Sequence, residues 1–221
     1  MLINGMEVVM ASIGIMGGTF NPIHIGHVEI AKAAYTQYHL DEIWFMPNHI
    51  PAYKSEDHIV SGIQRLEMVR CAIQEIPYCK ASDFELNREG NTYTIDTLMS
   101  LKMLYPEHTF YFIMGADSLF SFDKWMKYEK IPQYTNLLVA PRGEQIMQLI
   151  LDKVKEYNHF FGKEVFFLIE CEEIQCSSSE IRVKLQSLAK ADDFNEERIC
   201  NDLHLSKAVL QYIIQNNLYV H

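Results

Sequence analysis

The segment Gly17-Gly18-Thr19-Phe20-Asn21-Pro22-Ile23-His24-Ile25-Gly26-His27 constrains this chain more than any other. An apolar run, Ile13 to Met16, precedes it, and a helix-like pattern from Val28 to Tyr38 follows. Strand, tight glycine turn and helix therefore succeed one another directly. Glycine carries no Cβ, so the backbone at Gly17, Gly18 and Gly26 can approach a ligand closely. A helix start presents N–H groups without intrahelical partners, and the positive end of its dipole favours an anion. That combination suits phosphate. His24 and His27 stand at the helix entrance with a spacing that lets both face one side of a first turn. Imidazole N–H groups there can hold a polyphosphate and stabilise charge that builds up during group transfer.

A second set of phosphate-binding side chains lies late in the chain, at Ser177-Ser178-Ser179-Glu180-Ile181-Arg182. Hydroxyls and helix N–H groups can hold phosphate, and an arginine fork binds it bidentately. A serine run can equally do no more than cap a helix.

With 221 residues the chain is long enough for one sizeable α/β domain with a buried core. A formal net charge of −10 argues against a nucleic-acid partner, but a small anionic substrate needs only a local basic site. No stretch reaches the ~18 apolar residues of a membrane span, so no membrane partner is expected. The start lacks the pattern of a signal peptide. Cys71, Cys79, Cys171, Cys176 and Cys200 form an odd set with no CxxC pair. A disulfide framework or a structural zinc is therefore not expected, and a reducing cytoplasm is. Residues 1–11 read as an N-terminal extension, and residues 12–221 as a single domain.

Short apolar runs predict strands at Ser12–Met16, Ile43–Met46, Cys79–Phe84, Thr109–Met114, Asn136–Ala140 and Val165–Ile169. Helices are expected at Val28–Tyr38, at Gly62–Ile76 with Ile63, Leu66, Val69, Ile73 and Ile76 on its apolar side, and from Tyr93 with Ile95, Leu98, Leu101 and Leu104 inward. Others are expected at Glu144–Tyr157, Ser178–Leu188 and Lys207–Asn216. Pro47 to Ser61 has no periodicity and reads as a loop. Continuous apolar strands alternating with helices predict an α/β fold: a Rossmann-like, doubly wound parallel sheet with helices on both faces. Ligands of such sheets bind beyond the carboxyl ends of the strands, where the strand order switches. The glycine segment, the turn Gly115-Ala116-Asp117 and the loop at Arg142 all follow strands.

The first segment resembles the (T/H)xGH signature of the nucleotidylyltransferase superfamily. The second resembles its ISSSxxR motif, with Cys176 where Ile or Val is usual. Within that superfamily, several stretches are similar to the nicotinate-mononucleotide adenylyltransferase family. Gly17 to His24 resembles GGTFDPxH, with Asn21 in place of the usual Asp. Asp41 to Asn48, Pro51-Ala52-Tyr53-Lys54, Arg88 to Thr97, Gly115-Ala116-Asp117-Ser118, Lys124-Trp125 and the terminal Tyr212 to Tyr219 also match.

The resemblance implies transfer of the adenylyl group of ATP to nicotinate mononucleotide, with release of pyrophosphate, in NAD biosynthesis. It implies that His24, His27 and Arg182 are the catalytic contacts to the ATP phosphates. It assigns Gly17, Gly18, Thr19, Phe20, Gly26, Gly115, Asp117, Ser178 and Ser179 to ATP. Lys54, Tyr93, Thr94, Trp125 and Met126 would hold the mononucleotide, Trp125 by stacking on the pyridine ring. The mononucleotide phosphate is already a nucleophile, so in-line attack on the α-phosphorus needs no general base. Mg²⁺ bound mainly through the ATP phosphates is expected, without a protein metal cluster. Other acceptors (nicotinamide mononucleotide, phosphopantetheine or a cytidylyl acceptor) stay open, as does a non-catalytic nucleotide sensor. A flavin or NAD oxidoreductase is disfavoured, because no GxGxxG turn follows the first strand. The sequence leaves the oligomeric state open, a homo-oligomer included.

Overall fold

The computed structural model describes residues 2–3, 6–7, 10–49, 59–88, 90, 92–141, 146–172, 174–188 and 195–219. Two short strands, β1 (Leu2–Ile3) and β2 (Met6–Glu7), pair antiparallel with each other and stand apart from the main sheet. The sequence gives no strand signal there. The main sheet consists of β3 (Ser12–Gly18), β4 (Glu42–Pro47), β5 (Cys79–Ala81), β6 (Thr109–Gly115), β7 (Asn136–Ala140) and β8 (Phe166–Leu168). All its pairings are parallel, in the order β5-β4-β3-β6-β7-β8. The expected doubly wound α/β sheet is therefore present.

Side chains of each strand alternate between two cores. Ile13 and Ile15 of β3, Phe110, Phe112 and Met114 of β6, and Leu137 and Val139 of β7 belong to one. Met16, Ile113, Leu138 and Ala140 belong to the other. The period of two along a strand produces this split, and burial on both faces explains the unbroken apolar runs. The first core is covered by α3 (Thr94–Leu104), α4 (Ala116–Phe120) and α5 (Met147–Phe161). The second is covered by α1 (Ile25–Gln37), α2 (Gly62–Ile73), α6 (Ser178–Leu188), α7 (Glu196–Leu203) and α8 (Lys207–Gln215).

Local chemistry sets the helix ends. Ser61 and Gln64 form a reciprocal capping box at the start of α2. Asn195 and Ser206 accept N–H groups at the starts of α7 and α8. Gly162 closes α5 with φ of +63°, a conformation that favours glycine.

Three expectations need correction. Ile63 is exposed, while Arg65 beside it is buried; α2 turns its Arg65-Met68-Val69 stripe inward and ends at Ile73. Leu104 is also exposed, because α3 has reached its last turn there. Gly115-Ala116-Asp117 is not a turn but the start of α4. The sequence signal also misses α7, whose residues are mostly polar and whose buried contacts are Ile199 and Leu203.

Phe122 sits at 0% exposure among Trp125, Tyr128, Tyr157 and Phe166, with ring centroids between 5.1 and 5.7 Å away. Phe122→Ala is predicted to lower stability by about 3–5 kcal/mol, measured by denaturant unfolding. A loss below about 1 kcal/mol would show that this aromatic cluster does not anchor the second half of the sheet.

Candidate active site

Strand order switches at β3, which has β4 on one side and β6 on the other. The carboxyl ends of β3 and β6 are Gly18 and Gly115, so the crevice expected for a ligand opens between the two glycine-containing ends. A Cβ added at Gly115 would meet no atom within 4 Å, which leaves that backbone open to approach.

His24 is the N-cap of α1, with extended backbone (φ −141°, ψ 169°), and His27 is its third helical residue. Their ring centroids are 3.8 Å apart. The His24 N–H donates to His27 Nδ1 at 3.3 Å. That bond selects the His27 tautomer with its proton on Nε2, leaving Nε2–H as a donor. The His27 ring also packs edge-on against Phe20 at 5.2 Å.

The late serine-arginine segment docks onto this turn. Ser178 Oγ donates to the Pro22 carbonyl at 2.9 Å. Arg182 Nη1 donates to the Asn21 carbonyl at 2.8 Å, and Nη2 reaches Ser179 Oγ at 3.3 Å. Cys176 Sγ lies 3.1 Å from His24 Nδ1. A guanidinium has five N–H donors, so this docking still leaves Arg182 donors for an anion. The cap of α6 is Ser177, whose Oγ accepts the Glu180 N–H at 3.2 Å. One serine thus caps the helix, and its two neighbours bind the first segment or the arginine.

Two details depart from the sequence expectation. First, the opening of α1 does not present a free row of N–H groups. The Ile25 N–H donates to the His204 carbonyl at 2.9 Å, and the His27 N–H to the His24 carbonyl at 3.0 Å. The carbonyl of His204, which ends α7 with φ of +50°, reaches the start of α1. An anion at this position would therefore depend more on side-chain donors than on the helix end. Second, Gly26 is needed for packing. A Cβ there would stand 3.1 Å from both Cys176 Sγ and His24 Nδ1, so glycine is what lets the two segments close together.

Tyr93, Thr94 and Trp125 lie on the other face of the sheet. Tyr93 is the N-cap of α3 and Thr94 its first residue. Trp125 is half-buried, edge-on to Phe112 at 5.8 Å and tilted against Phe122 at 5.5 Å. Met126 is exposed. A 3-10 turn over Tyr128–Gln133 follows and packs on α3. Asp117 is exposed in the first turn of α4. Gly17, Gly18 and Thr19 are half-buried at the end of β3. Lys54 and Arg142 lie outside the described residues. The structure thus separates the residues into a phosphate-type group on the α1/α6 face and an aromatic group on the α3 face, with the ends of β3 and β6 between them.

The turn holding Asn21, a residue expected from the motif, is supported by Tyr219 and Arg65, whose roles sequence reasoning missed. Asn21 Oδ1 accepts the Tyr219 hydroxyl at 2.7 Å and the Val60 N–H at 3.2 Å. Burial pushes the Tyr219 phenol well above its ordinary range, partly offset by Arg182 and Arg65, so it stays a protonated donor. Arg65 is 1% exposed and binds the Thr19, Asn48, His49 and Val60 carbonyls. Its helical spacing to Met68 and Val69 was the available signal. Among the described residues, no group of three or more His, Cys, Asp or Glu side chains is placed to hold a metal ion.

A cytidylyltransferase-like family model matches residues 15–184. The chain is 38% identical over 211 residues to a probable nicotinate-nucleotide adenylyltransferase of Lachnoclostridium phytofermentans, covering 96% of this chain and 100% of that one. The chain belongs to the nicotinate-nucleotide adenylyltransferase family. Solved structures agree. Plasmodium falciparum nicotinic acid mononucleotide adenylyltransferase complexed with APC superposes with a TM-score of 0.72 at 25% identity, covering 95% of this chain and 97% of that one. The same enzyme complexed with NaAD gives 0.71 at 26% identity, with the same coverage. Those adenylyltransferases share the sheet that positions the two histidines here.

Two predictions follow from the supports of the site. Tyr219→Phe removes the hydroxyl donor to Asn21 Oδ1 and should lower stability by about 1 kcal/mol, read from chemical denaturation. An unchanged midpoint would mean that this bond does not hold the turn. Glu85 supports the start of α3 from below: it is buried and accepts the Thr97 hydroxyl at 2.7 Å. Burial raises its carboxyl above the ordinary range, although Thr97 and Arg88 pull it back. A raised native value means that this group's contribution is full below the unfolded carboxylate range and is lost as pH rises through the native value. Relative to wild type, Glu85→Gln should therefore gain stability between about pH 4 and pH 7. A difference that does not vary with pH, or that grows in the opposite sense, would contradict this.

Proposed function

We propose that this chain transfers the adenylyl group of ATP to nicotinate mononucleotide, giving nicotinate adenine dinucleotide and pyrophosphate, in NAD biosynthesis. The observation that carries the reading is the docking of Arg182 and Ser178 onto the Asn21-Pro22 turn beside the adjacent rings of His24 and His27, at the switch point of the sheet. Two cationic or N–H-donating groups distant in sequence converge where a triphosphate needs them.

In this reading the triphosphate lies over Gly17, Gly18, Thr19, Phe20 and Gly26, contacted by His24, His27, Arg182, Ser178 and Ser179. Gly115 and Asp117 take the nucleoside, with Asp117 on the ribose hydroxyls. Trp125 stacks on the pyridine ring, backbone groups around Tyr93, Thr94 and Met126 hold the nicotinate carboxylate, and Lys54 reaches the mononucleotide phosphate. The mononucleotide phosphate oxygen attacks the α-phosphorus in line, a P–O bond to the β-phosphate breaks, and pyrophosphate leaves with the electron pair. No proton needs to be removed from the nucleophile. The contribution of the protein is alignment and donors aimed at charge that grows on the leaving oxygens.

Imidazole, guanidinium and hydroxyl donors fit phosphate oxygens rather than a hard cation. Mg²⁺ would therefore be held chiefly by the ATP phosphates and water, where it neutralises triphosphate charge. Residues 12–221 would form the catalytic domain, with residues 1–11 preceding it. A cytoplasmic location accords with an odd set of five cysteines that contains no CxxC pair. No helix among the described residues is long and apolar enough to cross a membrane.

His27→Ala should lower kcat by about 100-fold with little change in melting temperature, since a donor to the transition state is lost. Parallel assays of pyrophosphate release with nicotinate and nicotinamide mononucleotide test the substrate assignment. The acid form should be the better acceptor. Preference for the amide would overturn the pocket assignment while keeping the chemistry, and a folded, fully active His27→Ala would remove the role of the histidine.

A further inference from the structure

Arg65 is a buried cation whose acceptors among the described residues are neutral oxygens. Nε donates to the Val60 carbonyl at 3.2 Å. Nη1 donates to the Thr19 carbonyl at 2.8 Å and to Asn48 Oδ1 at 3.3 Å. Nη2 donates to the Asn48 carbonyl at 2.6 Å and to the His49 carbonyl at 3.1 Å. These contacts occupy the five N–H donors of a guanidinium. Among the described residues no carboxylate pairs with it. A buried charge without a counter-ion is a poor stability device, because the desolvation cost is not returned by an ion pair. Its geometry must be explained by what it holds.

It holds the peptide just before a strained residue. Phe20 is buried and has φ of +49°, a left-handed conformation that a bulky side chain adopts only when its surroundings impose it. The Thr19–Phe20 peptide is trans, so its C=O and N–H point in opposite directions. Arg65 pulls the Thr19 carbonyl towards itself, and the Phe20 N–H is thereby aimed away from Arg65. On the far side of Phe20, Asn21 is fixed by Tyr219, Val60 and Arg182. The strained residue is clamped at both ends.

We propose that Arg65 is a positioning residue for adenylyl transfer: it orients the Thr19–Phe20 peptide so that the Phe20 N–H serves as a donor to the ATP phosphates. The role rests on the functional reading above. The same guanidinium binds the chain leaving β4 (Asn48, His49) and the chain entering α2 (Val60), so the mononucleotide side is registered to the phosphate turn through one side chain. Arginine is required because lysine cannot present a planar fork to several carbonyls at once.

The test combines kinetics with a measurement on wild type. Arg65→Lys keeps the charge but loses the fork; its kcat should fall by about 100-fold while the KM for nicotinate mononucleotide changes little and the fold is retained. Arg65→Ala should regain activity when millimolar guanidinium is added, and not with an alkylammonium of similar size. In wild type, inorganic pyrophosphate should shift the backbone amide resonance of Phe20. A folded Arg65→Lys with wild-type kcat overturns the role. If neither variant folds, the Phe20 amide decides: a shift supports the role, and a resonance that stays still while pyrophosphate binds overturns it. Wild type that releases no pyrophosphate from ATP and mononucleotide overturns the functional reading and this role together. Active wild type beside an unimpaired Arg65→Lys overturns the role alone.

Discussion

Asn21 joins parts of the chain that lie far apart in sequence. Its side-chain oxygen accepts the Tyr219 hydroxyl from the C-terminal end and the Val60 N–H from the entrance to α2. Its backbone oxygen accepts Arg182 from α6. Together with the Ser178 bond to the Pro22 carbonyl, these bonds fix the glycine turn relative to the arginine. The residue is 4% exposed, so these bonds are made where water does not compete for them. An amide serves this purpose as well as a carboxylate would, because both donors need only an acceptor oxygen.

The parallel sheet explains why such distant residues meet at all. Each strand delivers its carboxyl end to the same edge, and the reversal of order at β3 opens a crevice there. Helices packed on opposite faces then contribute different chemistry. One face supplies imidazole, hydroxyl and guanidinium groups, and the other supplies Trp125 and the start of α3. A substrate pair consisting of a triphosphate and an aromatic mononucleotide matches that division. The fold itself does not dictate the reaction; the side chains placed at its edge do.

Much of this was legible in the sequence because strong local signals and tertiary structure agree. Asn136–Ala140 and Ser178–Leu188 are found at the predicted residues, one as an apolar run between breakers and the other behind a serine cap. The two phosphate-type segments were legible as well, since the residue types that bind anions are few. The support of the site was not. Hydrogen bonds from Arg65 to backbone carbonyls leave no partner residue to find in a sequence, and an arginine on a helix ordinarily faces water. The occupied N–H of Ile25 depends on a carbonyl at the end of α7, an element whose pattern is mostly polar. At Gly26 the structure shows a packing reason for glycine that the sequence did not reveal: a Cβ there would crowd Cys176 and His24.

The central claim is that both segments grip one triphosphate at the switch point of the sheet. A crystal structure with a non-hydrolysable ATP analogue and Mg²⁺ tests it most directly. The account predicts phosphate oxygens within hydrogen-bond distance of His24, His27 and Arg182 together, with the adenosine lying towards Gly115 and Asp117. A triphosphate bound elsewhere, or one that touches the histidines while Arg182 keeps only its contacts to Asn21 and Ser179, would contradict it.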